Sequence, residues 1–310
     1  MKTRPLAAAL ALALLMAALP GVFPPASESA RPAEAAIATP VTAAAAVPSL
    51  DLSPIVGTSG NLRALIGLPA ALAADARLAT VLAGRSIAGP GVHPLGLKAP
   101  DGEPLVAVSM TPFEAGAKTG LSYRTGRWPA GSLAAKDARY TAPDGFIRVT
   151  RENASTAVSK RFHLSDFLTH DQQDVWPKVL VIRPKLVDKL ELIGEALDAR
   201  GLPSKLHIMS GFRTPQYNAL EVRPGGRARN SRHMYGDASD IFVDADGDGR
   251  MDDLNHDGKV TVKDAQVLFA VAEGVEAAHP DLVGGLSAYP ATSAHGPFVH
   301  VDTRGFKARW

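Results

Sequence analysis

Histidine and aspartate recur in two short stretches of the 310-residue chain. In the first, SGFRTPQYNALEVRPGGRARNSRHMYGDASD (210–240), His233 and Asp240 lie seven residues apart. In the second, HGPFVHVD (295–302), His300 sits in a short apolar run. Two imidazole nitrogens and a carboxylate oxygen make a zinc donor set, and catalytic zinc takes three protein ligands and keeps one position for water. His233, Asp240 and His300 are therefore the candidate ligands. The chain has no cysteine. Thiolate sites and disulfides are excluded, and any metal must be held by His, Asp, Glu or backbone oxygen.

Such a site needs rigid supports. Gly236 permits a tight turn between His233 and Asp240, and Ala238 and Ser239 are small enough for close backbone approach. Residues 240–243, DIFV, read as a strand entering the core. In 298–302, FVHVD, alternation turns Phe298, His300 and Asp302 one way and Val299 and Val301 the other. Upstream, Pro184 fits a helix start and Gly201 the residue past its end, so 184–200 is a predicted helix. Its residues Leu186, Leu190, Ile193 and Leu197 share one face. A strand over 205–209 follows and ends at the Ser210-Gly211 turn.

The joint pattern is more specific than any of its parts. Ser231-x-His233-x-x-Gly236-x-Ala238-x-Asp240, preceded by Ser210-Gly211-Phe212-Arg213-Thr214 and followed by His295-x4-His300-x-Asp302, resembles the D-alanyl-D-alanine metallopeptidases, whose fold group includes the hedgehog signalling domain. It is most similar to their murein endopeptidase branch. The resemblance covers about 159–310 and implies zinc held by His233, Asp240 and His300. It implies that Arg213 contacts substrate and supports the developing oxyanion, and that His295 assists proton transfer. Other members carry a glutamate three residues before the last ligand; Pro297 stands there in this chain, which moves the base role to His295. Ser231 and Asp302 lie behind the ligands. Asp302 either orients a histidine or pairs with Arg304 or another basic side chain.

A second metal pattern lies between Asp240 and His300. Asp253, Asn255, Asp257, Thr261 and Asp264 fall on positions 1, 3, 5, 9 and 12 of an EF-hand-like calcium loop, with Gly258 at position 6. An upstream register starts at Asp244, Asp246 and Asp248 with Gly249, and its twelfth position is Asn255. So many carboxylates held together repel one another without a cation. The expectation is a calcium-binding insertion over 244–264, followed by a helix over 262–278, or else a solvated acidic loop.

The remaining sequence delivers this half. Lys2 and Arg4 precede an apolar run over 6–19, so residues 1–30 read as an export signal or, less economically, an uncleaved anchor. Residues 31–59 read as an Ala/Pro-rich linker. Residues 62–82 are expected to form one or two short helices. Strand-like pieces at 105–108, 121–123 and 146–149 make 60–158 a small β-rich module of unknown role. Net charge is +2, so a nucleic-acid partner is not expected. The expected fold is α+β, with a small antiparallel zinc-bearing sheet flanked by helices over 159–310. The expected function is an exported, periplasmic or extracellular zinc peptidase acting on peptidoglycan peptides. The alternatives are a D-alanyl-D-alanine carboxypeptidase and a non-catalytic metal-containing wall- or protein-binding module.

Overall fold

The computed structural model describes residues 52–75, 87, 89–113, 119–120, 123–124, 126–128, 137–172, 175–222 and 226–310. These belong to one compact unit, Leu50–Trp310. The expected signal segment (1–30) and most of the linker (31–51) lie outside the described residues. In chain order the elements are α1 (Ser53–Val56), β1 (Ala64–Gly67), α2 (Pro69–Ala74), β2 (Gly91–Lys98), β3 (Pro104–Ser109), β4 (Thr111–Pro112), β5 (Thr119–Gly120), β6 (Tyr123–Arg124) and β7 (Gly145–Val149). They continue with β8 (Lys178–Leu180), α3 (Pro184–Asp198), β9 (Leu206–Ser210), α4 (Pro215–Ala219), β10 (Ala238–Val243), α5 (Val262–Ala278), β11 (Gly285–Tyr289), β12 (Phe298–Asp302) and β13 (Ala308–Arg309). The fold is α+β, built from small sheets and few helices.

The central sheet has strand order β13-β11-β12-β10-β9. Its neighbours are antiparallel except for β13, which runs parallel to β11. Period-two alternation divides β10 and β12 between two faces. Ile241, Val243, Val299 and Val301 are fully buried and join one hydrophobic cluster with the apolar stripe of α3 and with Ala265, Leu268 and Ala272 of α5. Leu186, Leu190, Ile193 and Leu197 are all at most 1% exposed, as their helical spacing requires. Asp240 and His300 sit at the alternate positions of the same strands, so the helices hold the sheet from the apolar side.

The upstream residues depart from expectation in two places. Residues 64–67 form β1, parallel to β3, and only 69–74 are helical in the described part of 62–82. A short apolar run suits strand or helix equally by periodicity, and pairing with β3 decides it. Strand β2, in a stretch with two glycines and a proline, had no alternating signature to reveal it.

The core also runs across position 158. Leu62, Ala64, Val108, Phe146 and Val149 share a cluster with Phe162, Val179 and the α3 stripe. The backbone N–H groups of Thr58 and Ser59 donate to Asp188 of α3 at 2.8 and 2.9 Å. Asn61 donates to Glu195 of the same helix at 2.5 Å. A second, smaller core beneath β1–β3 collects Ile55, Leu72, Leu95, Leu105 and Ala107.

Candidate metal centre

Antiparallel pairing of β10 with β12 places Asp240 directly opposite His300. Ser210 of β9 faces Asp240 from the other side, and the β9–β10 register shifts just after this pair. Such irregularities re-aim side chains at the edges of sites. His233 arrives from a 3-10 turn, Arg232–Tyr235, ended by Gly236 at φ +71°. A Cβ on Gly236 would stand 2.5 Å from the Val181 carbonyl oxygen, so both the left-handed backbone and the close packing require glycine.

Three ligand-type atoms converge. His233 Nε2 lies 3.2 Å from Asp240 Oδ1, His300 Nδ1 lies 2.9 Å from the same oxygen, and the two nitrogens are 3.3 Å apart. All three residues are buried. Each histidine uses its other nitrogen elsewhere. His233 Nδ1 is 2.7 Å from the Gly211 carbonyl oxygen, and His300 Nε2 is 3.1 Å from Asp302 Oδ2. Both partners can only accept, so these ring nitrogens carry the hydrogens and the facing nitrogens keep their lone pairs. Bonds of about 2.0–2.1 Å in a tetrahedron separate ligands by about 3.3–3.4 Å. The observed spacings of 2.9, 3.2 and 3.3 Å are close to that, and the donor set fits zinc.

The electrostatics follow from burial among charges. Burial and the nearby Arg213 guanidinium push His233 down to about 4, so its ring is neutral at pH 7. Burial opposes ionisation of Asp240, but His233 and Arg213 outweigh it and hold the carboxyl well below its usual value. Burial would lower His300 too, yet its hydrogen bonds to Asp240 and Asp302 raise it. Asp302 is lowered in spite of burial by His300 and Arg304.

Arg213 reaches this cluster. Its Nη2 donates to Asp240 Oδ2, and its Nε donates to Ser210 Oγ at 2.9 Å. Asp302 accepts from both His300 and Arg304. Ser231 is buried at the start of the 3-10 turn, where its carbonyl accepts from the Met234 N–H at 3.2 Å. His295 is not one of the converging residues. It is half-buried in the loop before β12, with Nδ1 2.8 Å from the Gly296 oxygen and its ring edge-on to Phe298.

The acidic insertion brings part of the upstream register together. In the upstream loop Asp244, Asp246 and Asp252 offer oxygens within 4.8 Å of one another. Asp252 is position 9 of that register, while Asn255, its twelfth, donates its amide to Asp257 and its N–H to Asp264. Asp248 accepts from the Arg250 N–H at 2.8 Å. In the second loop Asp253 receives the N–H groups of Asp257 and Gly258. Asp253, Asp257 and Asp264 do not form a converging group among the described residues. Asp264 is fully buried and takes the N–H groups of Leu254, Asn255 and Thr261, closing a capping box with Thr261 at the start of α5. Its shorter side chain is spent on the backbone.

The upstream half contributes supports for which the sequence carried no signal. Trp128 Nε1 donates to the Met234 carbonyl at 2.7 Å, and Arg232 donates to the Arg139 carbonyl at 2.8 Å. Arg232 also pairs with the buried Asp237. The turn that presents His233 is thus clamped by Trp128 and Arg139. On the far side, the Trp310 ring lies 5.4 Å from that of His300, and Trp310 Nε1 donates to Tyr289 Oη at 2.5 Å.

No curated protein and no solved structure matches the chain. A family comparison does give a match, and it includes Arg213, His233 and Asp240, while His300 joins them from beyond it through the β10–β12 pairing. Over residues 144–253, in the C-terminal half, the chain matches the zinc-peptidase family described as peptidoglycan L,D-endopeptidase MepK.

Proposed function

We propose that the chain is an exported zinc peptidase that hydrolyses peptide bonds in peptidoglycan, with endopeptidase action on cross-links as its main reaction. The observation that carries this reading is the buried convergence of His233, Asp240 and His300 in a chain whose C-terminal half matches a peptidoglycan endopeptidase family. Zinc, when bound, supplies Lewis acidity and an activated water. The protein's own groups do the rest. Gly211 and Asp302 fix the two imidazoles so that His233 Nε2 and His300 Nδ1 face the metal position. Arg213 keeps fixed positive charge beside Asp240, where a tetrahedral oxyanion needs it. His295 is the proposed proton carrier: it takes a proton from the attacking water as the C–O bond forms and gives it to the amine as the C–N bond breaks. Its ring is edge-on to Phe298, two residues before His300 on the same strand face.

The test is digestion of purified peptidoglycan, with new amino groups counted. Wild type should release them, and His233→Ala and His295→Ala should not. Zinc binding without release from any murein would favour the non-catalytic wall-binding reading. Release confined to a terminal residue would favour the carboxypeptidase. The proposal extends to calcium at Asp244, Asp246 and Asp252, whose oxygen donors suit a hard cation and stand apart from the zinc donor set.

A further inference from the structure

A charge interrupts the apolar stripe of α3. Lys189 lies three residues after Leu186 and four before Ile193, on the helical face that packs into the core. It is as deeply buried as the leucines beside it, at 0% exposed. Its Nζ donates to Glu276 Oε1 of α5 at 2.6 Å and to the backbone carbonyl of Asp302, the last residue of β12, at 2.7 Å. Glu276 is buried too. Its Oε1 also accepts the Gly284 N–H at 2.8 Å, and its Oε2 pairs with Arg309.

Stability alone is a poor reason for such a pair. Dehydration of two ions offsets most of their attraction, and apolar side chains of similar volume usually serve a core as well or better. What this pair does, and apolar side chains cannot, is grip two backbone groups. Lys189 holds the Asp302 carbonyl, and Glu276 holds the N–H of Gly284, just before β11. The two points touch: a Cβ on Gly284 would stand 1.8 Å from that carbonyl oxygen. One residue on, the Gly285 N–H donates to Asp302 Oδ1 at 2.8 Å, while Oδ2 of the same carboxylate faces His300 Nε2 at 3.1 Å. The carboxylate that orients His300 is thus anchored where the buried pair grips the chain. We propose that Lys189 and Glu276 are positioning residues of the metal centre, which fix Asp302 so that its carboxylate turns His300 Nδ1 to the metal position. This rests on the reading of His233, Asp240 and His300 as metal ligands. It extends the support of His300 through Asp302 to two helices on the apolar side of the sheet.

The test uses the full chain and a Lys189→Met/Glu276→Gln double variant. The change removes both charges at nearly constant volume, and the glutamine carbonyl can still accept the Gly284 N–H. Two quantities are read: zinc affinity by competition with a chelator, and the visible absorption of the cobalt-loaded protein, which reports the geometry of the ligands. The double variant should bind zinc about tenfold more weakly or worse, the low end for losing a ligand's outer support, and its cobalt spectrum should differ from that of wild type at saturation. A purely structural role would leave the spectrum of the folded, loaded protein unchanged. A wild-type spectrum therefore overturns the proposal whatever the affinity, and so does an affinity within about twofold of wild type. If the double variant does not fold, Glu276→Gln alone is read by its cobalt spectrum: a changed spectrum supports the role and a wild-type one overturns it. Wild type that binds neither zinc nor cobalt overturns the metal reading itself, and the positioning role with it.

Discussion

His233 and His300 each spend one nitrogen on a fixed acceptor, and that expenditure turns the other towards Asp240. Asp302 is the more exposed to test, because a side chain can be changed and a carbonyl cannot. Asp302→Asn should lower zinc affinity by about 10–100-fold, as loss of a ligand's orienting partner does elsewhere, measured by competition with a chelator. Unchanged affinity would mean that Asp302 serves only Arg304 and the Gly285 N–H. The convergence of His233, Asp240 and His300 was legible because their types, spacing and small intervening residues admit few other uses. The same reasoning could not foresee where His295 lies. Its distance along the chain says nothing of how the loop before β12 lies. Asp252 was not named, although it is position 9 of the upstream register, which the loop rule counts as a ligand; the folded loop brings its oxygen within 4.8 Å of those of Asp244 and Asp246.

At the scale of elements, helix α3 was readable from its period, its initial proline and the flanking glycine, and α5 from its place after the acidic loop; both appear with nearly the expected bounds. Strands of the first half were less readable, since their pairing is non-local and short. Two supports carry the centre. Gly236→Ala should destabilise the fold by about 1–3 kcal/mol from the left-handed backbone alone, with the clash at Val181 adding to it, seen as a lower urea midpoint. A midpoint equal to wild type would contradict the turn's strain. Beneath the sheet, the fully buried Lys189 donates to Glu276 at 2.6 Å and to the Asp302 carbonyl at 2.7 Å. Lys189→Ala should cost about 3 kcal/mol, the low end for breaking a buried pair, because Glu276 retains Arg309 and the Gly284 N–H. A loss under about 1 kcal/mol, the level of an exposed pair, would show the buried pair to be dispensable.

Across the whole molecule, described residues between 62 and 149 share a core with α3 and the central sheet, and Trp128 and Arg139 clamp the turn that presents His233. Composition could not show this, because burial partners are chosen by tertiary contact. The acidic insertion leads directly into α5, which packs on α3, so a cation there would stabilise more than its own loop. Calcium at about 100 times its dissociation constant should add about 2.7 kcal/mol, read as a melting temperature that rises with calcium and falls again with a chelator selective for it. No shift in melting or in protease resistance removes calcium from the account. The central claim is one zinc, held by three residues, that makes the chain a peptidoglycan peptidase. Its most direct test is to strip the protein of metal, titrate zinc back, and follow peptide release from purified peptidoglycan by mass spectrometry. The account predicts release that rises to a plateau at one equivalent and is absent in His233→Ala at every zinc level. Release without zinc, or equal release by His233→Ala, would contradict it.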